Sequence, residues 1–306
     1  MATLMVKTGK KQRLKVYRGE SNVDRRVDGE LVNVGVGSGG CLSQIEPQAA
    51  GKSVPPKSKA HDDSSRMEFL LDDIEKISRR RKQQLQRMPP VLEGWEISGA
   101  VIGAQYEVFH GGFYDWSMRD DGTLAFAAGC ALGRGLTAAF TAASLLAAFR
   151  SHVYYHHTVS EMLSRLNQTL WVGSTGDQFA DLFYGVVFPH TGRFELGGAG
   201  CLELLRMEEK APHWNTFEAN ETLGVNPDAA HVERQIDMSF GEQVIVLISN
   251  TSIPEQSKET VLKAVDRHRK CEVCDLPEVI ERQLTLAQHS TPLAAISLLV
   301  VRRCHP

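Results

Sequence analysis

Apolar residues recur along this chain with two different periods, and the switches between them mark out its elements. Phe69, Leu70, Ile74 and Ile77 fall at helical spacing and predict a helix over 67–87. Asp72, Asp73 and Glu75 lie early in it and Arg79 to Lys82 lie late, which suits the helix dipole, and Pro89-Pro90 stops it. From Trp95 onward, strand-like runs follow at 95–104, 123–129, 181–188, 193–206, 231–238, 243–249 and 293–302, punctuated by Gly and Asp-Gly turns. The stretch Leu136 to Arg150 is apolar nearly all round and rich in alanine, which predicts a buried, closely packed helix over 135–150. Thr158 and Glu161 form a capping box that opens a helix at 159–171. Helices over 258–269 and 276–287 come last, the second with Asp275 and Glu278 as a capping box and Pro277 in its first turn. Consecutive strands with helices grouped between them predict an α+β fold of layered antiparallel sheets covered by helices.

Residues 1–65 show neither period. They carry a short apolar piece at Leu31 to Val34, a run of glycines from Gly35 to Gly40, and a Pro, Lys and Ser stretch from Lys52 to Lys59. The expected organisation is a flexible arm over 1–65 with at most a local hairpin, a linker helix over 66–90 and one domain over 91–306. Composition adds exclusions. A chain of 306 residues, 42% hydrophobic, can bury a large core. A net charge of −3 gives no basic field, so nucleic acid is not an expected partner. No apolar run approaches a membrane span, and Met1 to Glu20 lacks the apolar segment of a secretory signal, so no membrane association is expected. The dispersed Cys41, Cys130, Cys201, Cys271, Cys274 and Cys304 suit a reducing cytoplasm.

Some short motifs lose their chemistry in context. Gly35-x-Gly37-x-x-Gly40 has no helical period after it to receive a pyrophosphate, and reads as a loop. His268-x-x-Cys271-x-x-Cys274 lacks the second ligand pair of a structural zinc site and reads as ordinary thiols. His156-His157 reads as a surface turn. Gly133-Arg134-Gly135 opens the alanine-rich helix; its amides suit an anion, but the Gly-Lys-Ser/Thr ending of a P-loop is missing, and a tight turn is the simpler reading. Neither Gly-x-Ser-x-Gly nor His-Glu-x-x-His occurs.

Seven segments in order resemble one family. Lys82 to Pro90 resembles a helix and proline stop that precede the family's domain. His110-Gly-Gly-Phe-Tyr-Asp115 is similar to its Gly-Gly-Asp-Phe-Tyr-Asp turn. Gly129-Cys-Ala-Leu-Gly-Arg-Gly-Leu-Thr-Ala-Ala139 is similar to Gly-Asp-Val-Ser-Gly-Lys-Gly-Leu-Pro-Ala-Ala. Leu163 to Asn167, Phe183 to Gly200, Gly241 to Thr251 and Ala294 to Arg302 resemble the segments that follow. The chain thus resembles the SpoIIE-like branch of the PPM-type metal-dependent serine/threonine phosphatases. The resemblance implies a sandwich of two antiparallel sheets flanked by helices, with two Mg or Mn ions at one edge.

At the four places where the family has metal carboxylates, this sequence has Gly112, Cys130, Asn250 and Ala294, with Asp115 the one carboxylate retained nearby. Hard dications need oxygen ligands to activate the attacking water, so no metal cofactor is expected. The implied function is a pseudophosphatase that acts as a regulatory or scaffold protein in bacterial signalling. Its expected partners are proteins, with phosphoproteins or kinases of a partner-switching pathway as the implied class. Two alternatives stand beside it: an active Mg/Mn-dependent phosphatase with a remodelled site, whose ligands the sequence does not locate, and an unrelated α+β binding module. His110, Asp115 and Cys130, if near one another, form a minor third reading, a replacement transition-metal site. The helix at 67–87 either packs on the domain or forms a homodimer.

Overall fold

The computed structural model describes residues 25–27, 30–32, 59–85, 88–103, 109–173, 176–208, 212–215, 220–287 and 295–305. Contacts divide the chain into two compact units, Met1–Lys59 and Ala60–Pro306. In the first, β1 (Arg25–Val27) pairs antiparallel with β2 (Glu30–Val32). The rest of the expected arm before Lys59, including its glycine run, lies outside the described residues, as does Ala294.

The second unit begins with α1 (Lys59–Gln84), which starts before the apolar period at 67 because its first turns are polar and carry no periodic signal. Two five-stranded antiparallel sheets follow. The first has the order β10-β7-β6-β5-β4, from β4 (Gly112–Met118), β5 (Leu124–Ala131), β6 (Ala180–Phe188), β7 (Arg193–Ala199) and β10 (Glu233–Asp237). The second has the order β3-β12-β11-β8-β9, from β3 (Trp95–Ile102), β8 (Leu202–Met207), β9 (Pro212–Asn215), β11 (Gln243–Ser249) and β12 (Ile296–Arg303). The run expected as one strand over 193–206 is two. The chain turns at Gly200, whose φ is +76°, and passes from one sheet to the other. The segment expected as a turn at 110–115 is the start of β4, which the buried Phe113, Tyr114 and Trp116 hold in place.

Strand alternation sorts the core into three layers. Tyr114, Trp116, Phe126, Phe183, Val246 and Leu299 pack between the sheets. The outer face of the first sheet is covered by α2 (Gly135–His152) and α3 (Val159–Gly173), through Ala138, Leu145, Phe149, Met162 and Leu166. The outer face of the second is covered by α4 (Glu255–Arg267) and α5 (Leu276–Ala287), through Val261, Val265, Ile280 and Leu284. Although α2 is apolar nearly all round, only one side is buried: Leu136 and Phe140 are exposed. The capping box of α3 forms reciprocally, Thr158 N–H to Glu161 at 2.9 Å and Glu161 N–H to Thr158 Oγ1 at 3.2 Å. The box expected at α5 does not, since Glu278 instead accepts from Arg282 at 2.8 Å. Asn167 on α3 ties the helix to the loop before β10, accepting from Gly224 N–H and donating to the Asn226 carbonyl, both at 2.8 Å.

The sheets are joined by a side chain as well as by apolar packing. Ser297 on β12 is fully buried; its Oγ accepts from Phe113 N–H on β4 at 3.0 Å and donates to the Gly129 carbonyl on β5 at 2.7 Å. Removing the hydroxyl strands a buried donor and a buried acceptor. Ser297→Ala is expected to lower the unfolding free energy by about 2–4 kcal/mol in urea denaturation; a loss within about 0.5 kcal/mol, the usual range for exposed sites, would show that the bridge carries no weight.

Candidate functional site

The strand ends that carry the candidate ligand positions are set by register. Gly112 on β4 lies opposite Cys130 on β5, and Cys130 lies opposite Asp181 on β6. Residues directly opposite one another share a face, so Gly112, Cys130 and Asp181 form one row on the side that looks toward the second sheet. Across from them stand Val101 on β3 and Ser297 on β12, themselves paired in register. A side chain at 112 has no room there. Its Cβ would stand 2.7 Å from Val101 Cγ1 and 3.0 Å from Ser297 Oγ. Cys130 is fully buried, its thiol 3.7 Å from the Ala131 carbonyl and 4.0 Å from that of Ala295.

Asn250 follows the end of β11 and reaches the turn before α2, donating to the Gly133 carbonyl at 3.1 Å. In that turn Gly133 and Gly135 have φ of +92° and +69°, a backbone that side chains resist, and the extended Arg134 is the N-cap of α2. Gly133, Arg134 and Gly135, whose amides suit an anion but which read more simply as a tight turn, are therefore adjacent to Asn250 in space. Asp115 is not part of this row. Three residues along a strand reverse the face, so Asp115 looks toward the helices. There it is 1% exposed, accepts from Arg150 Nε on α2 at 2.6 Å and from Trp116 N–H at 3.0 Å. The grouping of Asp115 with His110 and Cys130 is thus corrected by the parity of β4.

Three residues at this edge have no counterpart among the sequence expectations. Asp181 is the carboxylate of the row; its Oδ1 accepts from Thr222 at 2.9 Å, and burial pushes its pKa up. Gly200 accommodates it, because a Cβ there would stand 1.6 Å from Asp181 Oδ1. Ser297 is the bridge already described. Arg81 on α1 reaches in from outside the sheets: Nη1 donates to the Ala139 carbonyl at 2.8 Å, and Nη2 donates to the carbonyls of His110 and, at 3.1 Å, Gly112. The end of α1 is further held by the Tyr114 hydroxyl on the Leu85 carbonyl and by the Trp116 indole N–H on the Met88 carbonyl. The Arg79 to Lys82 run, placed late in the helix to suit its dipole, thus divides: Arg79 is exposed and pairs with Glu75, whereas Arg81 is turned inward.

These donors do not fit a pair of Mg or Mn ions. Hard cations take carboxylate and other oxygen ligands. At the described ligand positions stand a hydrogen atom, a buried thiol and an amide whose nitrogen is engaged, while Asp181 is held by Thr222. Among the described residues, the three-donor clusters are Asp120 with Asp121 and His156, and Glu272 with Cys274 and Asp275. Both are exposed and belong to other parts of the fold. His156, at the expected surface turn, lies between Asp120 and Asp121 at 2.6 and 3.1 Å. His268 of the His-Cys-Cys motif is bound to the Ala264 carbonyl.

His110 is buried at the same edge, and its Nδ1 has no hydrogen-bond partner among the described residues. Burial first, and the nearby Arg81 charge second, lower its pKa from 6.5 to about 4, against an opposing hydrogen bond to the Gly112 backbone. Below pH 6.5 the unfolded chain takes up a proton there that the folded chain refuses until about pH 4. The contribution of His110 is therefore complete above that window and is lost as the pH falls through it. Urea titrations are expected to show the stability of the native protein, relative to His110→Leu, falling between those two values; a flat difference would contradict the assignment.

Comparison with known proteins bears on the same elements. The sequence model of the Stage II sporulation protein E (SpoIIE) family matches residues 120–302. The SiaA-PP2C domain of Pseudomonas aeruginosa superposes with a TM-score of 0.59 at 13% identity, over 78% of this chain and 98% of that one. The RsbU and RsbW domains of Rv1364c from Mycobacterium tuberculosis give a TM-score of 0.56 at 18% identity, over 71% of this chain and 62% of that one. The PP2C phosphatase domain of SpoIIE from Bacillus subtilis, solved with a fragment of its regulatory domain, gives 0.56 at 11% identity, over 69% and 62%. This chain therefore spans about three fifths of the length of the latter two. Curated proteins yield no match. At these identities the solved structures establish the shared sandwich of two antiparallel sheets flanked by helices, and the family match covers more than half of the sequence. The chain belongs to the Stage II sporulation protein E family, with a PPM-type phosphatase fold.

Proposed function

We propose that this protein is a regulatory member of its family that does not hydrolyse phosphoesters and works by binding other proteins. The observation that carries the reading is the row Gly112–Cys130 facing Val101 and Ser297, where family ligand positions hold no carboxylate and packing has closed over one of them. Metal-dependent phosphoryl hydrolysis needs cations that lower the pKa of a bound water and neutralise developing charge. A thiol is a soft ligand, and an amide offers one neutral oxygen. An active enzyme with a remodelled site would have to build on Asp181, and one carboxylate does not hold two dications.

The partner class follows from analogy. The Mycobacterium tuberculosis chain carries an RsbW domain beside its RsbU domain, which supports a protein partner of the partner-switching kind, a phosphoprotein antagonist or its kinase. A cytoplasmic site of action belongs to the same reading; among the described residues no helix is long and apolar enough to cross a membrane. Along α1, Met67, Phe69, Leu70 and Leu71 are each more than half exposed, apolar area of the sort that protein contacts cover, a second copy of this chain included.

The decisive assay is Mn-dependent hydrolysis of an aryl phosphate and of a phosphoserine peptide, with a chelator control. The native protein is expected to stay at the blank. Activity is expected to appear in a variant carrying Gly112→Asp, Cys130→Asp, Asn250→Asp and Ala294→Asp, together with Val101→Ala to make room at 112. Chelator-sensitive turnover by the native protein would overturn the proposal.

A further inference from the structure

A guanidinium presents five N–H donors in a rigid plane and keeps its charge when buried. Arg81 brings one to the edge of the sandwich. Its hydrogen bonds go to three main-chain carbonyls: Ala139 on α2, and His110 and Gly112 at the start of β4. Gly112 is itself one of the family ligand positions, and its register partner Cys130 is another. The Arg81 charge interacts with both Cys130 and His110. One cation, carried on α1, is thus bonded to the start of β4, at one family ligand position, and acts electrostatically on Cys130, at another.

We propose that Arg81 is the resident cation of this degenerate edge: its guanidinium supplies from the chain itself the positive charge that the fold otherwise takes from divalent metal, and so fastens α1 to the domain. The inference rests on the metal-free reading above and extends it. The edge has not merely lost ligands; it holds a tethered positive charge that opposes the entry of a dication. The chemistry it favours at position 130 is an anion that pairs with Arg81.

The test is a double-mutant cycle in the full chain, by urea denaturation at neutral pH with chelator present. Cys130→Asp is made in the native background and in Arg81→Met, with Arg79→Met on the exposed side of the same helix as the control. The new carboxylate is expected to lower the folding equilibrium constant at least tenfold more in the Arg81→Met background than in the native or Arg79→Met backgrounds. An equal cost in all three would overturn the proposal. Should Arg81→Met not fold, Cys130→Asp and Cys130→Asn are compared across the carboxylate range, with Arg81, His110 and Asp181 as the unchanged titratable groups around them. A neighbouring cation holds the new carboxyl below its ordinary pKa, so the Asp variant is expected to gain stability relative to the Asn variant as the pH rises. Loss of stability instead would show a buried carboxylate without a cation and would sink the idea. No metal enters either measurement. Coupling between 81 and 130 can therefore be absent in an inactive protein, and chelator-sensitive activity can appear with the coupling intact, so the two readings fail separately.

Discussion

Ser297 ties the second sheet to two strands of the first at the point where the family places its chemistry. Its single hydroxyl satisfies the Phe113 amide and the Gly129 carbonyl, both fully internal. That bridge draws β12, and with it Val101 on the neighbouring β3, against the start of β4. The consequence is steric. Position 112 has space for a glycine and not for a longer side chain. The edge is a packed seam between two sheets, and interiors packed to this degree resist added volume.

Charge at the seam follows the same logic. Clustered carboxylates with no cation repel one another and are costly to bury. The residues at 112, 130 and 250 carry no carboxylate, and the acids that remain are each provided for. Asp181 is bonded to Thr222. Asp115, on the opposite face, pairs with Arg150 and so joins β4 to α2. Main-chain carbonyls left at the start of β4 face Arg81. Each of these groups is partnered within the chain itself.

Much of this was legible in the residues. Among the described residues, helical and strand periods marked the five α-helices and most of the strands. What escaped notice had physical causes. The start of β4 resembles a turn because His110-Gly-Gly carries no period, yet Phe113 to Trp116 is buried on both faces and offers no alternation to detect. The apparent closeness of Asp115 to the site ignored strand parity, which three residues reverse. Arg81 was hidden in a run of like charges in which one residue points inward, a distinction that tertiary contacts make and local sequence does not. Asp181 and Ser297 lie in strands read only as apolar runs, and their importance comes from register with Cys130 and Val101 across the sandwich.

The account stands on one claim: this edge does not bind the divalent ions its fold is built to hold. Thermal melting of the full chain with millimolar Mn, with millimolar Mg and with chelator tests it most directly. Any ion that binds only the folded form stabilises it, by about 2.7 kcal/mol at a hundredfold excess over its dissociation constant, enough to raise the melting temperature by several degrees. The account predicts superimposable melts under all three conditions. A rise of several degrees with Mn, reversed by chelator and abolished by a change at Cys130 or Asp181, would contradict it.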